Sequence, residues 1–205
     1  VLRLNGYQKS ENFINILGFI HTSAYKNTSF AKYLDSKRTD ESKKGNLAKT
    51  DMFNGSDNKM LLRSETNKAK RNLAVFFERP NCDDCENFHQ ALKTLPKIVK
   101  RFNQMDIVRI NIDSNDDIQV LNNKSTSAKK WFDELRLTYN PSIVFFNESG
   151  QEVIRKDGFL KTFHVESVID YVQSGKYRTQ PSFQRFLEHR ADVIREGGVT
   201  VDLWK

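Results

Sequence analysis

The sequence predicts an α/β fold, a mixed central sheet flanked by helices with extra helices at the ends of the chain, and three observations predict it. Short apolar runs of strand length alternate with longer stretches whose apolar residues recur at helical spacing. A turn at Ser149-Gly150 joins the last two strand candidates as a hairpin, whereas the earlier ones are separated by whole helices. A pattern of strand, Gly turn and helix occurs twice, once at each end of the 205 residues.

Taken in order, a helical lead-in at 65–71 precedes Leu73-Ala74-Val75-Phe76-Phe77, whose unbroken apolar character suits a strand buried on both faces. The periodicity then predicts a helix over 82–102, a strand over 107–112 and a helix over 127–135. A strand over 142–146, its hairpin partner over 152–155 and a closing helix over 163–174 complete the unit. Strand-helix-strand connections favour parallel pairing and the hairpin requires antiparallel pairing, so the sheet is expected to be mixed with helices on both faces.

The duplication is carried by residue type as well as by pattern. Val1-Leu2-Arg3-Leu4-Asn5-Gly6-Tyr7 matches Val153-Ile154-Arg155-Lys156-Asp157-Gly158-Phe159, and Phe19-Ile20 and Tyr25-Lys26 match Tyr171-Val172 and Tyr177-Arg178. After one inserted residue, Phe30-Ala31-Lys32-Tyr33-Leu34 matches Phe183-Gln184-Arg185-Phe186-Leu187. Each copy reads as a strand, a turn at Gly6 or Gly158, and a helix. The helix's apolar face is Phe13, Ile16, Leu17 and Ile20 in the first copy and Val165, Val168, Ile169 and Val172 in the second. Gly175 suits the C-terminal cap of the second helix, and a further short helix follows from about Thr28 or Pro181, with the proline in its first turn. From Asp35 to Asn67 the chain is polar with little periodicity, a linker on which Met52-Phe53 or Met60-Leu61-Leu62 dock locally. The expected division is a terminal strand with helices at 1–37, a polar linker at 38–67, and the main domain with a helical extension at 68–205.

Composition narrows the function classes. A net charge of +7 and a pI near 9.3 invite a nucleic-acid reading, but the bases are spread among acids without interleaved aromatics, which describes a solvated basic surface. No nucleic-acid partner is expected. No apolar run approaches the roughly 18 residues of a membrane-spanning helix, so the chain as given reads as soluble, and no secretory signal is visible in it.

Both cysteines of the chain lie in Cys82-Asp83-Asp84-Cys85. A pair so close closes too small a loop to staple a fold, so its meaning is chemical. At a helix start the first thiol is exposed and the second is shielded by the helix body, which makes Cys82 the attacking thiol and Cys85 the resolving one. The helix N-terminus favours the Cys82 thiolate, whereas the carboxylates of Asp83 and Asp84 oppose a further negative charge. A less stabilised thiolate means a less oxidising couple, so these two acids tune the pair toward reduction. His89 shares a helix face with Cys85 and raises a Cys-Cys-His zinc site, but no further Cys exists to complete it, and neither metal nor other cofactor is expected. Haem attachment is excluded because Glu86, not His, follows Cys85.

At this point the residues resemble the thioredoxin family. Leu73 to Phe77 leading into Cys82-Asp83-Asp84-Cys85 is similar to that family's strand and redox loop, and Tyr139-Asn140-Pro141-Ser142 before Ile143-Val144-Phe145-Phe146 is similar to its cis-proline segment. The resemblance covers about residues 72–174. It implies a thioredoxin-like fold and a cis Asn140-Pro141 bond packed against the cysteines, with the Asn140 backbone offered to a substrate chain. The sequence departs from the family at Asp83-Asp84, where Gly-Pro is usual, at Asn81, where Trp is common, and at Phe76, where a buried acid often stands. Glu78 is the nearest carboxylate to replace that acid, although a strand-end Glu is expected to be solvated. The first copy of the duplication is similar to the end of another thioredoxin-like domain, as in exported two-domain bacterial proteins of the family.

The expected function is thiol-disulfide exchange on protein disulfides, more reducing than strongly oxidising. The expected partners are protein thiol or disulfide substrates and an unidentified redox partner, in a periplasmic or otherwise exported location. The alternative is a non-catalytic thioredoxin-fold binding module, in which Cys82 would be inert.

Overall fold

A computed structural model describes residues 10–51, 69–158 and 162–198. The segment 1–7 of the first copy, the Met52-Phe53 and Met60-Leu61-Leu62 clusters, and residues 65–68 of the expected lead-in lie outside the described residues.

The sheet contains β1 (Leu73–Glu78), β2 (Asp106–Asn111), β5 (Ser142–Phe146) and β6 (Glu152–Asp157) in the spatial order β2-β1-β5-β6. β1 pairs parallel with β2 and antiparallel with β5, which pairs antiparallel with β6, so the sheet is mixed. All six residues of β1 are buried because the strand is central and covered on both faces. Ala74, Phe76, Ile143 and Phe145 point to one face, beneath α3 (Asp83–Lys93), α4 (Pro96–Phe102) and α6 (Thr162–Gln173). Leu73, Val75, Phe77, Val144 and Phe146 point to the other, beneath α5 (Ala128–Glu134). This alternation is the period of two that a strand imposes.

The structure corrects several boundaries. The helix expected over 82–102 is two helices, because Pro96 cannot donate into the ladder and starts α4 at its first position while Leu95 falls out of helical geometry. Residues 69–71 of the lead-in are not helical. The stretch between β2 and α5 contains an unexpected hairpin, β3 (Asp117–Val120) with β4 (Lys124–Ser127), turned at Asn122 with φ 63°. Pro181 stands before the helix rather than in its first turn, since Ser182 caps α7 (Phe183–Glu196) with its hydroxyl.

At the N-terminal side, α1 (Ser10–His21) and α2 (Phe30–Ser36) pack on each other through Ile16, Phe19 and Phe30. Of the expected apolar face of α1, Ile16 is 1% exposed, whereas Phe13, Leu17 and Ile20 are 47%, 51% and 51% exposed. In α6 the matching face is closed, with Val165, Val168, Ile169 and Val172 at 3%, 1%, 0% and 0%. The pair α1 and α2 is fastened to the main domain by Asp35, which binds Arg79 and Lys129 at 2.8 Å each, and by Phe30 against the ring of Tyr139. Within 38–51, Arg38 reaches Asp113 at 2.6 Å, Lys44 accepts the Asn81 amide at 3.1 Å, and the Ala48 carbonyl accepts from Arg109 at 2.7 Å. This part of the polar stretch lies along the β2 side of the sheet.

Candidate functional site

Three elements meet at the cysteine pair: the end of β1, the first turn of α3 and the loop entering β5. After Glu78 the chain turns through Arg79, Pro80 and Asn81, the last at φ 52°, a left-handed conformation that Asn tolerates better than most residues. Cys82 follows as the N-cap of α3, and its Sγ accepts the Cys85 backbone N–H at 3.0 Å. The two are joined as a disulfide, with Cys82 half-buried and Cys85 fully buried under the helix. Asp83, exposed, and Asp84, half-buried, occupy the first turn, where carboxylates favour the helix through its dipole.

The loop Tyr139-Asn140-Pro141 faces Cys82. Its Asn140-Pro141 bond is cis, and the Asn140 side chain donates Nδ2–H to Cys82 Sγ at 3.2 Å. The Cys82 sulfur therefore receives a backbone N–H and a side-chain N–H, the arrangement that favours a thiolate. The side-chain role of Asn140 was not foreseen from sequence, because a family motif names a position and not the direction of its amide.

Two further groups were missed. Asp157, at the end of β6, accepts the backbone N–H groups of Thr138 at 2.9 Å and Tyr139 at 2.8 Å, and the Ser142 hydroxyl at 2.7 Å. It holds the loop that carries Asn140. Beside it the Tyr139 ring lies over Gly158, where φ is +104° and a Cβ would come within 3.4 Å of the ring. Burial pushes the Tyr139 phenol above its ordinary pKa, and the Asp157 charge adds to this. The signal available in sequence was Asp157-Gly158, which the first copy repeats as Asn5-Gly6.

The second missed group is a buried charged cluster, and it corrects the reading of Glu78 as solvated. Glu78 is 0% exposed, because it continues the inward row of Ala74 and Phe76. One carboxylate oxygen meets His89 Nε2 at 2.7 Å, and the other accepts from Arg109 at 2.6 and 3.2 Å. Partners on both oxygens offset the cost of removing the charge from water. His89 is itself 2% exposed and stands one turn beyond Cys85 on α3, so its Nε2 is engaged by Glu78. Among the described residues no group of three or more His, Cys, Asp or Glu side chains is arranged to hold a metal ion. No described helix is long and apolar enough to cross a membrane.

Comparison with known proteins places this arrangement. No curated protein matches the chain. Among solved structures, a thioredoxin-fold protein from Helicobacter pylori is similar over 67% of this chain and 92% of its own, with 18% identity and a TM-score of 0.55. The thioredoxin of Fasciola hepatica covers 53% of this chain and 86% of its own, at 21% identity and a TM-score of 0.37. The sequence profile of the family described as thioredoxin-like domain matches residues 61–173, more than half of the chain. Because that match runs without a break from before β1 to the end of α6, it spans the whole sheet, the cysteine turn and the loop opposite it, and the chain belongs to the thioredoxin-like family.

Proposed function

We propose that this protein is a thiol-disulfide oxidoreductase acting on protein disulfides, working as a reductant. The observation that carries the exchange chemistry, as distinct from its reducing direction, is the half-buried Cys82 sulfur at a helix start, flanked by the Asn140 amide at 3.2 Å. In the reduced protein the Cys82 thiolate attacks one sulfur of a substrate disulfide, forming a mixed disulfide and releasing the other substrate sulfur as a thiolate. Cys85 then attacks Cys82 Sγ, which restores the Cys82-Cys85 disulfide and releases the second substrate thiol. Two electrons and two protons pass to the substrate, and a dithiol reductant must reduce the pair again.

Cys85 is fully buried, so its proton needs a nearby acceptor. His89 lies four residues on, on the same face of α3, a spacing that puts the two Cβ atoms about 5–6 Å apart. Its contact with Glu78 makes the His89–Glu78 pair the proton acceptor for the resolving step. The reducing direction rests on the carboxylates of Asp83 and Asp84 in the first turn of α3, which oppose the thiolate form against the two N–H donors that favour it. A reductant of this kind is of use where disulfides form, which supports an exported, oxidising setting.

The test is turnover of insulin disulfides with dithiothreitol as electron source. Cys82→Ser abolishes it, and Cys85→Ser traps a mixed disulfide through Cys82. A reduction potential nearer about −270 mV than about −120 mV is expected. Equal alkylation of the two thiols in the native reduced protein, trapping through Cys85, or an inert Cys82 would overturn the assignment. The last result would leave a binding module.

A further inference from the structure

The exposed face of α1 has an occupied counterpart within the same molecule. Both helix pairs are built alike: α1 is followed by Ser23 at φ 55° and a 3-10 turn (Ala24–Lys26), and α6 by Gly175 at φ 67° and a 3-10 turn (Lys176–Arg178). Ser29 and Ser182 then cap α2 and α7 with their hydroxyls. The aromatic packing is repeated ring for ring. Phe19 lies 6.4, 5.2 and 5.1 Å from Tyr25, Phe30 and Tyr33, and Tyr171 lies 6.2, 5.3 and 5.0 Å from Tyr177, Phe183 and Phe186.

What differs is the seat of the first helix. Val165, Ile169 and Val172 are buried on the sheet row of Ala74, Phe76, Ile143 and Phe145. Their counterparts Phe13, Leu17 and Ile20 are about half exposed, although they are as apolar. Ile14, 67% exposed, aligns with Glu166 and lies outside this face.

We propose that Phe13, Leu17 and Ile20 seat a second thioredoxin-like β-sheet in the same polypeptide. On this reading α1 and α2 close that unit as α6 and α7 close the present one. The occupant follows from the duplication: segment 1–7 matches the strand β6, which in the described unit precedes α6 and lends Val153 and Ile154 to the cluster under it. A second copy of this chain does not fit the place, because its sheet row is already covered by its own α6. Apolar side chains exposed together on one helix face are the usual mark of an interface.

The test compares the 205-residue chain with the same chain extended by the residues its gene encodes ahead of Val1. The shorter chain binds a hydrophobic dye, and Phe13→Ser with Leu17→Ser and Ile20→Ser removes that binding without changing the melting of the main domain or its rate of disulfide exchange. Leu17→Ser alone, which halves the signal or more, serves if the triple variant does not fold. In the extended chain dye binding is lost, and the amides of α1 exchange at least tenfold more slowly. The proposal is overturned if the extension leaves dye binding and exchange unchanged, or if it encodes no strand-helix-strand pattern. It is equally overturned if the 205-residue chain hides this face by self-association that the variants abolish.

Discussion

The helix pairs α1–α2 and α6–α7 share a local design and differ in what lies beneath them. Each has a left-handed residue after the first helix, a Ser cap on the second, and four rings packed at matching distances. These devices act within about twenty-five residues and come out the same in both places. Burial does not, because it depends on partners remote in sequence. In α6 the apolar face closes over the sheet, whereas among the described residues α1 buries Ile16 and Phe19 in a small cluster with Phe30, edged by Ala24, Tyr33, Leu34 and Tyr139. Helix identity is therefore a local property here and helix stability a tertiary one.

The largest expected effect breaks the comparison at its centre. Ile169→Ala opens a cavity in the main core and should cost about 2–5 kcal/mol, as large-to-small changes at fully buried sites do. The matching change Leu17→Ala, at a half-exposed site, should cost within about 0.5 kcal/mol. Urea midpoints at constant slope measure both. Equal costs would mean that the face of α1 is covered in solution even in this chain.

A smaller effect comes from giving the second copy the residue of the first. Asp157→Asn keeps the shape but removes the charge that accepts two backbone N–H groups and the Ser142 hydroxyl, and should cost about 2 kcal/mol. Because the loop it holds carries Asn140, the rate of mixed-disulfide formation at Cys82 should fall with it. Lost stability with an unchanged rate would show that the loop keeps its place without the carboxylate.

The turn residues offer a reciprocal exchange. Ser23 adopts φ 55° and Gly175 φ 67°, a conformation that costs a side-chain-bearing residue about 1 kcal/mol relative to Gly. Ser23→Gly should therefore stabilise the chain, and Gly175→Ser should destabilise it by about the same amount. Unequal magnitudes in thermal unfolding would show that the α1–α2 pair melts separately from the main domain.

How much was legible in sequence follows the same division. The strands of the sheet, the cysteine turn and the repeat were readable because continuous apolar runs, a two-residue Cys spacing and matched residue types are local signals. The β3–β4 hairpin was not, since Asp117–Val120 and Lys124–Ser127 are mostly polar and lie outside the main sheet, so no alternation marks them. Glu78 was misread because its burial rests on His89 and Arg109, residues 11 and 31 positions away in sequence. Asp157 was passed over for a like reason: its work is done on a loop 15 to 19 residues earlier.

The smallest effect concerns how the first pair is fastened, where the two copies differ in charge environment. Asp35 follows the matched Leu34 as Glu188 follows Leu187, but Glu188 is exposed while Asp35 lies between Arg79 and Lys129. Partial burial pushes the Asp35 carboxyl up, but the hydrogen bonds and charges of Lys129 and Arg79 together outweigh it, leaving a pKa of about 2 against an ordinary 3.8. A folded pKa below the unfolded one means that the unfolded chain takes up the proton more readily. The stabilisation is therefore present in full above about pH 4 and is lost as pH falls from about 4 toward 2. Expressed whole, the displacement would be worth about 2–3 kcal/mol. Lys129 is 53% exposed, however, and solvent screening brings the expected effect below about 1 kcal/mol. Asp35→Asn should accordingly melt a few degrees below the parent at pH 6, with the gap closing near pH 2 and narrowing in 1 M salt. A gap that is the same at pH 2 and pH 6 would show that α2 is held by the packing of Phe30 and Ala31 and owes nothing to this carboxylate.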